Sequence, residues 1–202
     1  SKAKTYIVKA LKTHMKLSNP TFEIFLRLDY ANCLNNLFEN ELSIEQTNLA
    51  IDLLKKMENT RHLGIAYANL SDTYLIKGDY TESIFNGKKG LALFRKEEIA
   101  HNTATMLLWL SEAYFRAGMY EKMNTHILEA EELLSGLADY FRHAKIYYYK
   151  AQYSLQQNNV ESSLELLDKS IQNFNLSKNV TFEINALIEK LFFLLESNSP
   201  SA

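Results

Sequence analysis

The residues that could do chemistry in this chain are five histidines, one cysteine, a lysine pair flanked by glycines, and scattered carboxylates. A helical zinc site needs two histidines four residues apart, or cysteines and histidines gathered together. His14, His62, His101, His126 and His143 contain no such pair, and Cys33 stands alone, so no metal is expected. Gly87-Lys88-Lys89-Gly90 resembles part of a phosphate-cradling loop, but that pattern needs a glycine five residues before its Gly-Lys, where this chain has Glu82. The stretch also falls within a helical pattern, whose amides are already hydrogen-bonded. No Gly-x-Ser-x-Gly elbow occurs. Carboxylates such as Glu131 and Glu132 fall on outer helix faces, where solvation is their natural state. The expectation is therefore a protein with no catalytic residue and no cofactor.

Composition narrows the class further. Hydrophobic residues make up 47% of the 202 and aromatics 12%, enough for a continuous core. Only 6 Gly and 2 Pro favour helix throughout. A net charge of -2 offers no basic field for nucleic acid. No apolar run approaches the ~20 residues of a membrane helix. A lone cysteine fits a reducing compartment, and Ser1-Lys2-Ala3-Lys4 is no signal peptide, so a cytoplasmic location is expected. The missing initiator Met points to a fragment of a larger protein.

The elements that must position these residues are clearest between Ala66 and Phe94. Tyr67, Leu70, Ser71 and Tyr74 recur at helical spacing and define one face. Gly78-Asp79 breaks that helix, because glycine adopts the left-handed conformation that ends helices. Thr81 is placed to cap the next helix, with Glu82 in its first turn. Ile84, Gly87, Gly90, Leu91 and Phe94 then form a second stripe. Small residues at Ser71, Ser83, Gly87 and Gly90 fall where the two helix axes must approach closely. Such a hairpin cannot bury its apolar faces alone, and the pattern recurs. A step of 40 carries Leu70, Ser71, Tyr74, Gly78 and Tyr80 to Leu110, Ser111, Tyr114, Gly118 and Tyr120. Further steps reach Ala151, Ser170 and Phe174 forward, and Ala31, Ala50, Leu54 and Ala10 backward. A fixed period without slips is the mark of a stacked repeat array.

Leu70-Ser71-x-x-Tyr74-x-x-x-Gly78-Asp79-Tyr80-x-x-Ser83-Ile84 resembles the tetratricopeptide repeat, a helix–turn–helix of about 34 residues. The longer period here is similar to the long-helix variety found in bacterial signalling regulators and kinesin light chains. The resemblance implies an all-α fold, a right-handed superhelical array of about nine antiparallel helices. The expected organisation is one repeat domain over 1–202. It comprises a half repeat at 3–17, full repeats at 21–57, 61–97, 101–137 and 141–176, and a half repeat at 181–197. Ile7, Ala10 and Leu11 are expected inward on the first helix, and Ser18-Asn19-Pro20 is expected to end it. Cys33 reads as a small core residue, its counterparts being Thr73 and Ala113. The turn at Phe38 lacks the Gly-Asp signature, while the fourth turn is Gln157-Asn158-Asn159, where an asparagine can stand in for glycine. The last helix is apolar on more than one face, unlike a polar end cap, so further surface must cover it.

In tetratricopeptide arrays the first helix of each repeat lines a concave groove. Carried onto this chain, that groove holds Asn32, Asn35 and Asn36, then Asn69 and Asp72, then Trp109, Glu112 and Arg116, then Lys145, Tyr148, Tyr149 and Gln152. Asparagine amides both donate and accept, which suits the backbone of an extended peptide. Trp109 and the tyrosines suit anchor side chains. The carboxylate clamp of chaperone adaptors is incomplete: Asn32 and Asn69 match its asparagines, but its basic positions are Leu28, Thr105 and Trp109. The expected function is a non-catalytic protein- or peptide-binding scaffold, the sensory or interaction module of a larger bacterial regulator, with its ligand in the groove. Two alternatives stand beside it. One is the regulatory part of a signalling enzyme, such as a diguanylate cyclase, or of a transcription factor. The other is self-association through the final helix around Phe192 and Phe193.

Overall fold

The computed structural model describes residues 2–14 and 19–197. Those residues hold ten helices and no strand: α1 (Lys2–His14), α2 (Pro20–Asn35), α3 (Asn40–Lys56), α4 (Thr60–Lys77), α5 (Tyr80–Lys96), α6 (Ala100–Arg116), α7 (Tyr120–Leu133), α8 (Tyr140–Gln156), α9 (Val160–Leu176) and α10 (Val180–Ser197). The count exceeds the expected nine by one, because the two half repeats each add a helix to the eight of the full repeats. The even-numbered helices α2 to α10 open their repeats and are called A helices; the odd-numbered ones are B helices. The A helices begin at Pro20, Thr60, Ala100, Tyr140 and Val180, a spacing of 40 throughout.

Local chemistry sets these boundaries. Asn19, Asn59, Asp79, Asp139 and Asn159 each occupy an N-cap, and each side chain accepts from the backbone amide three residues on. Asp79 therefore caps α5, and the expected cap Thr81 lies one residue inside the helix that starts at Tyr80. Pro20 begins α2, since the first helical position needs no amide donor; the expected end of the preceding helix at Ser18 lies outside the described residues. Each A-to-B turn carries one left-handed residue: Phe38, Gly78, Gly118 and Asn158. The B-to-A turns carry Glu58, Glu98 and Lys178 in the same conformation, with Gly136 serving after the shorter α7. Around Gly78, its own amide bonds to the Leu75 carbonyl and the Asp79 amide to that of Tyr74, the crossed pair that closes a Schellman turn.

The chain divides into two compact units, Ser1–Ala113 and Tyr114–Ala202, with the boundary inside α6. In the first unit, α2 packs on α3 and α4 on α5. Its core is Ile24, Leu28, Ala50, Ile51, Leu54, Ala66 and Leu70, with Tyr67 and Tyr74 against it. Tyr30 and Leu34 form a second cluster with Ile7 and Val8 of α1; the side chains of Ala10 and Leu11 lie outside the described residues. Small residues permit the close approach of the paired helices. Ser71 and Ser83 each donate a hydroxyl to the other's backbone carbonyl, at 2.9 and 2.8 Å. A Cβ added at Gly87 would stand 2.7 Å from Leu110 Cδ2 and 2.9 Å from Ser71 Oγ. Cys33 is only half-buried, whereas its counterparts Thr73 and Ala113 are buried.

In the second unit, α8 packs on both α7 and α9, and α9 on α10. Ala144, Phe174 and Ala186 form its core with Phe141, Tyr148 and Ile171. Phe182 of α10 stacks on Phe174, with ring centroids 5.4 Å apart. Ala186 joins that core, while Ile184, Leu187, Ile188, Leu191, Phe192 and Leu195 of α10 are all exposed. No described helix is long and apolar enough to cross a membrane.

Candidate functional site

The A helices carry the residues expected to bind a partner, and the period arranges them in columns. One column runs Asn69, Trp109, Tyr149 and then Glu189; its neighbour runs Asn32, Asp72, Glu112 and Gln152. The two compact units treat these columns differently.

In the first unit the columns stay polar and partly open. Asn32 and Asn36 are exposed, and Asn69, Asp72, Trp109 and Glu112 are half-buried. Asn36 also closes α2, its amide bonding to the Asn32 carbonyl. Asn35 is buried and donates from Nδ2 to Asp72 Oδ2 at 2.9 Å. That bond ties α2 to α4 and leaves Asn35 Oδ1 unfilled. Asn69 Nδ2 is likewise buried with no acceptor. Each such orphan costs about 1–3 kcal/mol, because the group has left water and gained nothing.

In the second unit the same columns are closed by packing. Tyr149 is 4% exposed, its ring against Phe115 and Tyr148 with centroids 6.0 and 5.2 Å away. Gln152 is 6% exposed and donates from Nε2 to Glu189 Oε2 at 2.6 Å. Tyr149 and Gln152, expected as groove contacts, are thus core and network residues here, unavailable to a partner. Tyr148 also hydrogen-bonds to Glu189. Burial raises the Glu189 carboxyl above its ordinary pKa, and the bonds from Tyr148 and Gln152, with the charge of Arg116, partly counter it. Arg116 is exposed at the end of α6. Lys145 is half-buried and lies over the Phe141 and Phe182 rings, 5.6 and 5.3 Å from their centroids. Desolvated cation–π contacts of this kind hold a lysine in place as well as a surface ion pair does.

Glu189 was not among the expected site residues, although one more step of 40 from Tyr149 reaches it. A second signal is the spacing of the two cross-helix bonds: Asn35 to Asp72 and Gln152 to Glu189 are both 37 residues apart. Each joins an amide on one A helix to a carboxylate on the next. Among the described residues, no group of three or more His, Cys, Asp or Glu could hold a metal ion. Lys88 is exposed in the middle of α5, and Lys89 covers the Phe85 ring at 3.8 Å, so the Gly-Lys-Lys-Gly stretch forms no loop.

No family model matches the sequence, and no curated protein is similar to it. Solved structures are. BtubC (BKLC) from P. vanneervenii superposes with a TM-score of 0.72 over 100% of this chain and 93% of its own, at 10% identity. A STAND protein with a tetratricopeptide repeat sensor from Pyrococcus horikoshii gives 0.78 at 20% identity, over 89% of this chain and 28% of its own. A Rap protein solved in complex with competence and sporulation factor gives 0.68 at 15% identity, over 96% of this chain and 58% of its own. The fold of this chain is therefore the helical-repeat fold of the tetratricopeptide proteins. The chain spans little more than half of the Rap protein and under a third of the STAND protein.

Proposed function

We propose that this chain is a protein- or peptide-binding scaffold, the non-catalytic sensory or interaction module of a larger bacterial regulator working in the cytoplasm. The observation that carries the reading is the amide row of the first unit. Asn32 and Asn36 are exposed, and Asn69 holds a buried donor without an acceptor. Asn32 and Asn36 would read a peptide backbone without regard to side chains, and Asn69 would rotate its amide outward to donate to a peptide carbonyl. Trp109, half-buried in the same unit, supplies a broad apolar edge for one anchor residue. Asp72 and Glu112, half-buried in the same unit, favour a ligand with basic character. A neighbour with the same fold was solved with a competence and sporulation factor, and another carries its repeats as a sensor; both uses fit a module that binds one partner and reports to another.

The test is selection from a randomised peptide library, followed by titration calorimetry. Asn69→Ala and Trp109→Ala should each weaken the selected peptide at least fivefold. Affinities unchanged in both variants would remove the reading.

A further inference from the structure

Gly87-Lys88-Lys89-Gly90 forms no phosphate loop, yet it lies at the middle of an unusual helix face. Gly87 and Gly90 are buried, which turns Lys88 outward. Thr81, Phe85, Lys88, Ala92, Arg95 and Lys96 are all exposed and recur at helical spacing, so they share the outer face of α5. The other B helices of the full repeats place acid at these positions. α3 has Glu41, Glu45 and Asp52, α7 has Glu121 and Glu132, and α9 has Glu161, Glu165 and Asp168. Over its whole length α5 carries four cations and one carboxylate, Glu82. Solvation accounts for the lysines of such a face but not for Phe85. That ring is 53% exposed, where the equivalent positions hold Glu45, Thr125 and Glu165. Lys89 lies over it at 3.8 Å, and over the Tyr67 ring at 5.2 Å. The apolar and the positive groups therefore form one continuous surface in the middle of the first unit.

We propose that the outer face of α5 docks an acidic amphipathic helix of a partner protein. Carboxylates on that helix meet Lys88 and, two turns on, Arg95 and Lys96, and an aliphatic side chain covers Phe85. Ala92, small and exposed between the cations, leaves a notch that a ridge of the partner helix can enter. Charge complementarity steers the encounter and fixes the register, while the ring supplies the apolar contact. The pattern fits a short acidic segment better than a longer polyanion. α3 and α5 both pack on α4, and a phosphate backbone running on from α5 would be repelled by Glu45 and Asp52 of α3. It also fits a helix better than an anionic membrane, because a helix that lies in a lipid surface buries a broad apolar face and this one offers a single ring. The face belongs to a B helix and the amide row to A helices, so the inference does not rest on the peptide-binding reading.

The test is a display library of helical peptides randomised along one face, selected on the whole 202-residue chain and followed by fluorescence anisotropy with the enriched peptide. Enrichment of Asp and Glu beside a Leu or Phe is expected. Lys88→Glu should weaken the enriched peptide about tenfold, since it sets like charges face to face. Phe85→Ala should weaken it about fivefold through the lost apolar contact. Added salt should weaken it further. Asn69→Ala and Trp109→Ala should leave it unchanged, which separates this face from the amide row. Lys88 is exposed, so Lys88→Glu should keep the wild-type far-ultraviolet spectrum; Ala92→Glu, also at an exposed position, replaces it otherwise. A library that returns no acidic helix overturns the proposal, as does an enriched acidic helix that binds Lys88→Glu and Ala92→Glu as tightly as the wild type. Two further results overturn it by naming another occupant. One is phosphatidylserine vesicles bound by the wild type and lost in Lys88→Glu, with no peptide enriched, which would mark a lipid surface. The other is a sedimenting mass that rises with concentration in the wild type alone, which would mark a second copy of this chain.

Discussion

At the scale of single residues, the same position of the repeat does opposite work in the two units. Asn69 keeps an unfilled amide donor under cover, whereas Tyr149, two periods later, is packed solid. Asn69→Ala should therefore separate binding from stability. Peptide affinity should fall about five- to tenfold, the ~1 kcal/mol net worth of a hydrogen bond. The thermal midpoint should hold or rise, because the substitution removes a polar group that folding leaves unsatisfied. Glu189 makes a pH prediction. Its carboxyl is raised above the ordinary 4.5 by burial, so the folded state holds the proton more tightly than the unfolded chain. The stability this provides is fully present below the unfolded pKa and is lost as pH rises through the folded one. Stability measured by urea titration should decline from pH 4.5 upward through that window in the wild type. Glu189→Gln should flatten this slope. An unaltered slope would show that other groups set it.

At the scale of elements, the turns and the close helix approaches carry the testable strain. Phe38 takes the left-handed conformation at φ 58° and is 78% exposed, so its side chain gains little packing in return. Its counterparts Gly78 and Gly118 adopt that conformation freely. Phe38→Gly should stabilise the first unit by about 1 kcal/mol, seen as a higher urea midpoint at unchanged slope. Gly90 faces the opposite situation. A Cβ there would stand 3.2 Å from the backbone oxygen of Gly64 and 3.4 Å from the Met106 sulfur. Backbone gives way less readily than a side-chain tip, so Gly90→Leu should cost roughly 3 kcal/mol through overpacking. A midpoint within error of the wild type would mean that the α4–α5 pair tolerates wider spacing.

At the scale of the whole molecule, an array of neighbour contacts leaves its outermost faces unpaired unless something else covers them. The repeat itself, with its 40-residue period, the left-handed Gly78 and Gly118, the small residues between paired helices and the several apolar faces of the last helix, is legible in the amino-acid sequence. These features depend on local backbone preference and on the helical period, both properties of short stretches. Thr81 failed as a cap because Asp79 offers the same hydrogen bond two residues earlier, a choice between neighbours that pattern alone leaves open. The fate of Tyr149, Gln152 and Glu189 was decided only by tertiary structure. Whether an A-helix side chain meets water or its neighbour depends on what the adjacent repeat places over it, and here an amide and a carboxylate 37 residues apart close the face that the first unit leaves open.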